Sequence, residues 1–514
     1  MKHLPLWLFL AALALRLLIA AATHLDGLYG QDAFAYFACA RELVNLGAAH
    51  LPCTDFYWPL GYPAWAALFM WLTRSDAAFG AQLASMVAGA ALAPLAYWLA
   101  IETVRAERGT SDAERTGLAA GVLVVFCGML LVASLVVMSD AAGLFWATLS
   151  TCLLLRWARA PGRDAYAGAS LSASAAALAV AIATRWIFAG MLLPFCGFLA
   201  VTLVREARTA AGGPAAWSPP ARARTLLAIA LAALIFGVIL GAQLFFNAHT
   251  PAPVLKHSWV VNWNPLHAWQ RSFDTPDGHF DYRWPPAVFY AEPLFHPIYL
   301  FPTLTGCVLF GAWQLRRCAA LIVLGGWVLA LYLYLIGLPY ENGRFGLAFF
   351  APVAVLAALG LSRLPVPTWL PMRGSEWRWR WLWLALSLVL AMPFTVRAIA
   401  RLREVVTQQN SAISYLQSQV PPGTTVVSFE LSISLQHYTS FAIVDLFAES
   451  PRTLRPVVCS ARPAYVYVEP AKLETQWLGK SPAENFHWLR DSIGLQERGM
   501  QGSWTLYQVL PCRP

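Results

Sequence analysis

The chain has 514 residues, of which 58% are hydrophobic and only 12% charged, so most of it cannot be a water-soluble globule. The formal net charge of +9 suggests a nucleic-acid partner only until the basic residues are located. They fall in short connections between apolar runs, which argues against nucleic acid as partner and makes them markers of orientation. No alternating ten-residue pattern supports a β-barrel, and the expected fold is a polytopic α-helical membrane protein.

Apolar runs predict about eleven spans, near 4–23, 78–103, 117–138, 141–158, 166–183, 187–204, 225–246, 298–315, 318–337, 345–361 and 381–396. The first run has Lys2 and His3 before it and Ala20-Ala21-Ala22 near its end, the outline of a cleavable signal peptide. Arg16 interrupts it and it exceeds the usual signal core, so it reads as an uncleaved span. Arg16 must face protein, because lipid exposure there costs several kcal/mol.

Arginines collect in the connections near 104–116, 156–164, 205–224, 316–317 and 363–380. By the positive-inside rule these connections and the N-terminus are cytoplasmic, and the C-terminal tail is outside. The run 60–73 is too short to cross comfortably, and counting it as a span would put the arginines near 104–116 outside. It reads as a juxtamembrane helix in the interface, where Trp58, Tyr62, Trp65 and Trp71 suit that depth.

The outer face then carries the loop 24–77, the tip at Ser139-Asp140, the long loop 247–297 and the short loop 339–344. Beyond residue 400 the pattern becomes soluble. Strands are expected at 424–429, 441–446, 464–469 and 504–510, between helices at 403–419 and 483–493. The expected division is therefore 1–400 in the membrane and 401–514 as a small α/β domain outside it. Cys39 and Cys53 share the first outer loop, and Cys459 and Cys512 share the outer domain. They are either two disulfides of an oxidising compartment or free small hydrophobes.

Asp32 is the leading candidate for chemistry. It lies in Tyr29-Gly30-Gln31-Asp32-Ala33-Phe34-Ala35-Tyr36, where aromatic neighbours restrict water and sharpen hydrogen bonds. The plain alternative is a helix N-cap, and Ser139-Asp140 can likewise cap the following span. Asp26, Glu42 and Asp55 are weaker candidates in the same loop. Arg344, just after Glu341 and Gly343, suits a phosphate that it grips with two parallel hydrogen bonds, or else pairs with Glu341 or a lipid headgroup. Arg185 beside Trp186 reads similarly, and Lys256 and His257 can hold a leaving phosphate from the long loop. No Cys/His set has zinc-like spacing.

Taken together, Asp32, the segment Pro59-Leu60-Gly61-Tyr62-Pro63, Asp140 and the late Asn342-Gly343-Arg344-Phe345 resemble the GT-C superfamily of membrane glycosyltransferases. The likeness is to the protein-mannosyltransferase and aminoarabinose-transferase-like group, and it covers roughly 1–400. It implies a polyprenyl-phosphate-linked sugar donor, transfer with inversion, and a glycan, lipid or protein acceptor. Asp32 would be the base at the acceptor hydroxyl. Arg344 would hold the leaving lipid phosphate, with Tyr62, Asp140, Arg185, Lys256, His257 and Glu341 as further substrate contacts. The sequence departs from protein mannosyltransferases in that Ala33 follows Asp32 where those carry an acidic pair. A divalent metal is then not demanded, although a carboxylate, phosphate and water site can hold magnesium. The rival readings are a transporter or flippase of lipid-linked glycans, a ligase using a lipid-pyrophosphate donor, and a non-catalytic scaffold. A transporter predicts polar residues along several spans, and apart from Arg16 these spans look apolar.

Overall fold

The computed structural model describes residues 3–45, 53, 56, 58–107, 112–160, 165–210, 219–249, 262–365, 376–460 and 463–512. Lys2, Asp55, Lys256 and His257 lie outside the described residues. Among the described residues, eight helices are long and apolar enough to cross a membrane, nine if one bent pair is counted as a single span. The chain is a multi-pass membrane protein.

In chain order the helices begin with α1 (Leu4–Thr23), α2 (Gly30–Val44), α3 (Gly61–Thr73), α4 (Ala78–Glu107), α5 (Ala113–Val125), α6 (Gly128–Ser134) and α7 (Ser139–Arg159). They continue with α8 (Ala165–Thr184), α9 (Leu192–Ala210), α10 (Pro219–His249), α11 (Thr305–Gln314), α12 (Ala320–Ile336), α13 (Phe350–Ser362) and α14 (Glu376–Gln419). Every expected span meets a helix; those at 187–204 and 345–361 open as the 3-10 turns Trp186–Met191 and Gly343–Phe349, and two more deviate further.

The span expected at 117–138 is the bent pair α5 and α6, with a 57° bend. The backbone NH of Met129, just past the break, donates to the carbonyl of Ile298 at 2.9 Å rather than continuing the helical ladder. The span expected at 298–315 is helical as α11 only from Thr305. Pro302 has no NH to donate and restricts Phe301 before it, so the approach is a short 3-10 turn, Pro302–Leu304.

The short run 60–73 is the 13-residue helix α3. It begins at Gly61 because the chain there touches the end of α8: a Cβ on residue 61 would lie 2.6 Å from the carbonyl oxygen of Ala183. Arg16 is fully buried, its Nη1 donating to the Ala12 carbonyl at 2.9 Å. It thus faces protein, as an arginine within a span must.

Helix α14 has 44 residues, about 66 Å at 1.5 Å per residue, so it leaves the bundle and enters the C-terminal domain without a break. Its last turns, with Ala412, Ile413 and Leu416, pack on one face of a five-stranded sheet. The strands are β3 (Thr425–Ser428), β4 (Ala442–Asp445), β5 (Ala464–Val468), β6 (Leu495–Gln501) and β7 (Trp504–Val509), numbered after a hairpin of β1 (Ser272–Thr275) and β2 (Gly278–Asp281). The order is β4-β3-β5-β7-β6, with β3 parallel to both β4 and β5 and β7 antiparallel to β5 and β6.

Alternation along β3 and β5 sends Val427, Val466 and Val468 into one apolar layer and Val426 and Tyr467 into the other. The bridges Cys39–Cys53 and Cys459–Cys512 are both formed.

Two seams join this domain to the rest. Helix α15 (Ser432–Tyr438) lies against α2, with the His437 ring 5.5 Å from Phe34 and 5.4 Å from Phe37. On the other side, His279 of the hairpin donates its NH to the Gln476 carbonyl at 2.6 Å, and Lys480 pairs with Asp274 at 2.7 Å.

Candidate active site

Four chain segments meet beneath the C-terminal domain: the first turn of α2, the first turn of α7, the residue after α8, and the turn that precedes α13. Asp32 lies in the first turn of α2 but does not cap it. The cap position is Tyr29, extended and without a side-chain cap bond. Asp140 is likewise the second residue of α7, and Met138 precedes that helix. Both capping expectations are thus corrected: each helix starts earlier than its acid, and each acid turns toward an arginine instead. An acid in a first turn still gains from the positive end of the helix dipole.

Arg344 Nη2 donates to Asp32 Oδ2 at 2.7 Å, and its Nη1 reaches the sulfur of Met138 at 2.7 Å. Asn342 caps the 3-10 turn Gly343–Phe349 by accepting the Arg344 NH at 3.2 Å, which fixes where the guanidinium starts. Arg344 therefore pairs with Asp32, where Glu341 was one of the expected partners. The Asp32 side chain keeps 31% of its surface and Arg344 25%, so a ligand can reach the pair.

Asp140 pairs with Arg185, and its side chain is only 2% exposed. The Arg185 guanidinium lies over the Phe345 ring at 4.7 Å from its centre, and Arg344 approaches the same ring at 6.0 Å. Two acid–arginine pairs thus share one aromatic ring. Tyr36, one helical turn after Asp32, bonds Ser139 at 3.1 Å and ties α2 to α7. Tyr62 is fully buried behind it, with its ring 5.0 Å from Tyr36 and its hydroxyl 2.6 Å from Ser85. Its contacts are with the wall of the site.

Glu341 leaves Oε1 buried with no hydrogen-bond partner among the described residues. Burial, then the charge of Glu292, pushes its carboxyl from 4.5 up to about 8. Burial alone pushes Glu292 to about 7. Glu292, from the aromatic-rich long loop, was not singled out in the sequence, because a lone acid between Ala291 and Pro293 carries no periodic signal. Among the described residues no group of three or more His, Cys, Asp or Glu side chains could hold a metal ion.

Below the Pro59-Leu60-Gly61-Tyr62-Pro63 segment lies an apolar cavity of about 530 Å³, lined by Leu60, Ala64, Trp65, Leu68, Trp146 and Ile239 among others. Gln243 on its rim accepts the Leu60 NH at 2.9 Å.

Two outcomes follow from the pairs. Asp140→Asn removes the charge that compensates the partly buried Arg185 guanidinium and is expected to cost about 1–3 kcal/mol, read as a fall in melting temperature. Asp140→Asn with Arg185→Met should recover most of that loss, and a single variant as stable as wild type would show the pair to be inert. Glu341 and Glu292 hold protons longer in the folded state than in the unfolded one. Stability should therefore fall as pH rises from 4.5 toward about 8, and then level off. Glu341→Gln should flatten that slope in melting curves taken across the same range.

The model of the family described as dolichyl-phosphate-mannose-protein mannosyltransferase matches residues 65–251. That stretch contains Asp140 and Arg185 but neither Asp32 nor Arg344. None of the curated proteins compared with the chain matches it. ArnT from Cupriavidus metallidurans in the apo state superposes with a TM-score of 0.62 at 14% identity over 97% of each chain. The same protein bound to undecaprenyl phosphate gives 0.60 at 15% identity, again over 97% of each. The Archaeoglobus fulgidus oligosaccharyltransferase tethered with an acceptor peptide gives 0.53 at 12% identity, over 92% of this chain and 70% of that one. The likeness read from the sequence holds for the fold: the chain has the fold of these ArnT and oligosaccharyltransferase structures, and residues 65–251 match the mannosyltransferase family model.

Proposed function

We propose that the protein transfers a single sugar from a polyprenyl-phosphate donor to a hydroxyl of an envelope glycan, lipid or protein, with inversion at the anomeric carbon. The observation that carries this reading is the accessible carboxylate of Asp32 held 2.7 Å from Arg344 at the edge of an apolar bundle. A donor phosphate entering the site takes the guanidinium and releases the carboxylate. The acceptor oxygen then attacks the anomeric carbon while the bond from that carbon to the phosphate oxygen breaks. The acceptor proton passes to Asp32, and polyprenyl phosphate leaves against Arg344 and Arg185, with Lys256 and His257 as further cations for it.

The convergence of two helix N-termini, α2 and α7, adds positive potential where the anion would lie. The 530 Å³ apolar cavity is suited to the first isoprene units of the lipid. Likeness in fold to a protein solved with undecaprenyl phosphate supports the donor class.

The arginine-rich connections support a plasma (inner) membrane protein with its N-terminus in the cytoplasm. In this reading residues 1–400 form the catalytic membrane domain and 401–514 a periplasmic or equivalent extracytoplasmic domain. The donor sugar is a hexose or a pentose.

The test is purified protein in lipid nanodiscs given polyprenyl-phosphate mannose or arabinose and an envelope extract. Release of polyprenyl phosphate together with a glycosylated product supports transfer. In proteoliposomes, movement of intact donor across the bilayer without release would favour a flippase, and turnover only with a lipid-pyrophosphate glycan would favour a ligase.

A further inference from the structure

Beside the ring contacts of His437 and Tyr438 with α2, the C-terminal domain makes a side-chain hydrogen bond to the turn that leads into that helix. Tyr438 donates to Asp26 Oδ2 at 2.6 Å, while the other oxygen of Asp26 accepts the Leu28 NH at 2.9 Å. Asp26 therefore folds the turn that delivers the chain into α2 four residues later.

That turn is fixed on its other side as well. The carbonyl of Gly27 accepts the Val137 NH at 2.9 Å, next to Met138, which Arg344 touches. Gly27 has a φ of +87° and no space for a side chain, since a Cβ would meet Gln82 at 2.8 Å. The turn thus holds together the starts of α2 and the segment before α7, the two elements that present Asp32 and Asp140.

Tyr438 is itself anchored. Gln417 of α14 donates to its carbonyl at 3.0 Å, and its ring stands edge-on to Phe34 at 5.6 Å. Phe34 is two residues beyond Asp32 on the same helix. The path from α14 to Tyr438 therefore ends on Asp26, four residues before α2, and on Phe34 within it.

We infer that Tyr438 of the C-terminal domain is a positioning residue for Asp32, acting through Asp26 and the first turn of α2. The inference rests on the proposed role of Asp32 as the base. A half-buried hydrogen bond to a carboxylate is strong enough to hold a short helix start in one geometry, and a base that drifts loses turnover before it loses donor binding.

The test uses the full chain in nanodiscs, as wild type, Tyr438→Phe, Asp32→Asn and Lys480→Met. The last removes only the exposed ion pair at the other seam. Amide hydrogen exchange at residues 28–37 should rise in Tyr438→Phe while β3, β5 and α4 keep their protection, and Lys480→Met should match wild type in both. With polyprenyl-phosphate mannose or arabinose and envelope extract, Tyr438→Phe should lower kcat about tenfold and leave KM for the donor unchanged. Unchanged exchange at 28–37 in Tyr438→Phe, or raised exchange with wild-type kcat, overturns the inference. An Asp32→Asn protein with full turnover would instead remove the base reading, and the exchange result would then decide alone whether Tyr438 orders the turn.

Discussion

Asp32→Asn is expected to lower the rate of sugar transfer about 100- to 10,000-fold, the range that loss of a general base produces. Asparagine keeps the size and one hydrogen-bond acceptor of aspartate, so Arg344 retains a neutral partner and the fold should stay intact. The variant also preserves the first turn of α2, because Asp32 does not cap that helix. Donor binding should be equal or slightly tighter, since the guanidinium no longer has a carboxylate competing with the incoming phosphate. Single-turnover release of polyprenyl phosphate separates these effects. A slow chemical step with an unchanged or lower donor Kd is the expected pattern, and a wild-type chemical step would remove Asp32 from the mechanism.

Arg344→Ala has the second largest expected effect, about 100- to 1,000-fold in kcat, with a raised KM for the donor. The guanidinium is asked to do two things. In the proposed reaction it binds the phosphate in the ground state and takes up the charge that develops as the bond to the anomeric carbon breaks. Lysine should restore only part of the loss. A point charge replaces a planar fork that is aimed by the Asn342 cap and rests near the Phe345 ring. Donor titrations on Arg344→Ala and Arg344→Lys check this, and identical kinetics for the lysine variant and wild type would argue against two-point phosphate contact.

Much of the membrane fold was legible because the bilayer imposes a coarse length rule, and each expected apolar run does contain a helix. The errors came where a tertiary contact overrode the run. Met129 leaves its helical ladder for Ile298, a partner not written in the local pattern, whereas Pro302, which delays α11, is a local signal that the apolar run masked.

In the C-terminal domain the apolar strands β3, β4, β5 and β7 stood out, whereas the edge strand β6, Leu-Gln-Glu-Arg-Gly-Met-Gln, is largely polar and gave no signal. The β1–β2 hairpin was missed although Thr275-Pro276-Asp277-Gly278 is a readable turn signal, because its two strands are only four residues each.

At the site, residue type and loop placement were enough to single out Asp32, Asp140, Arg185 and Arg344. Their pairing was not readable. Asp32 and Arg344 are 312 positions apart, and helix rotation about its axis decides which guanidinium meets which acid. The contribution of Met138, the shared ring of Phe345 and the Glu292–Glu341 neighbourhood are likewise products of packing.

The most direct measurement is a double-mutant cycle on kcat/KM for polyprenyl-phosphate release, using Asp32→Asn, Arg344→Gln and the two together. If both residues act on one reacting centre, the double variant should be within about threefold of the worse single variant. Full multiplication of the two losses would mean that the acid and the guanidinium work independently, and would contradict a shared site.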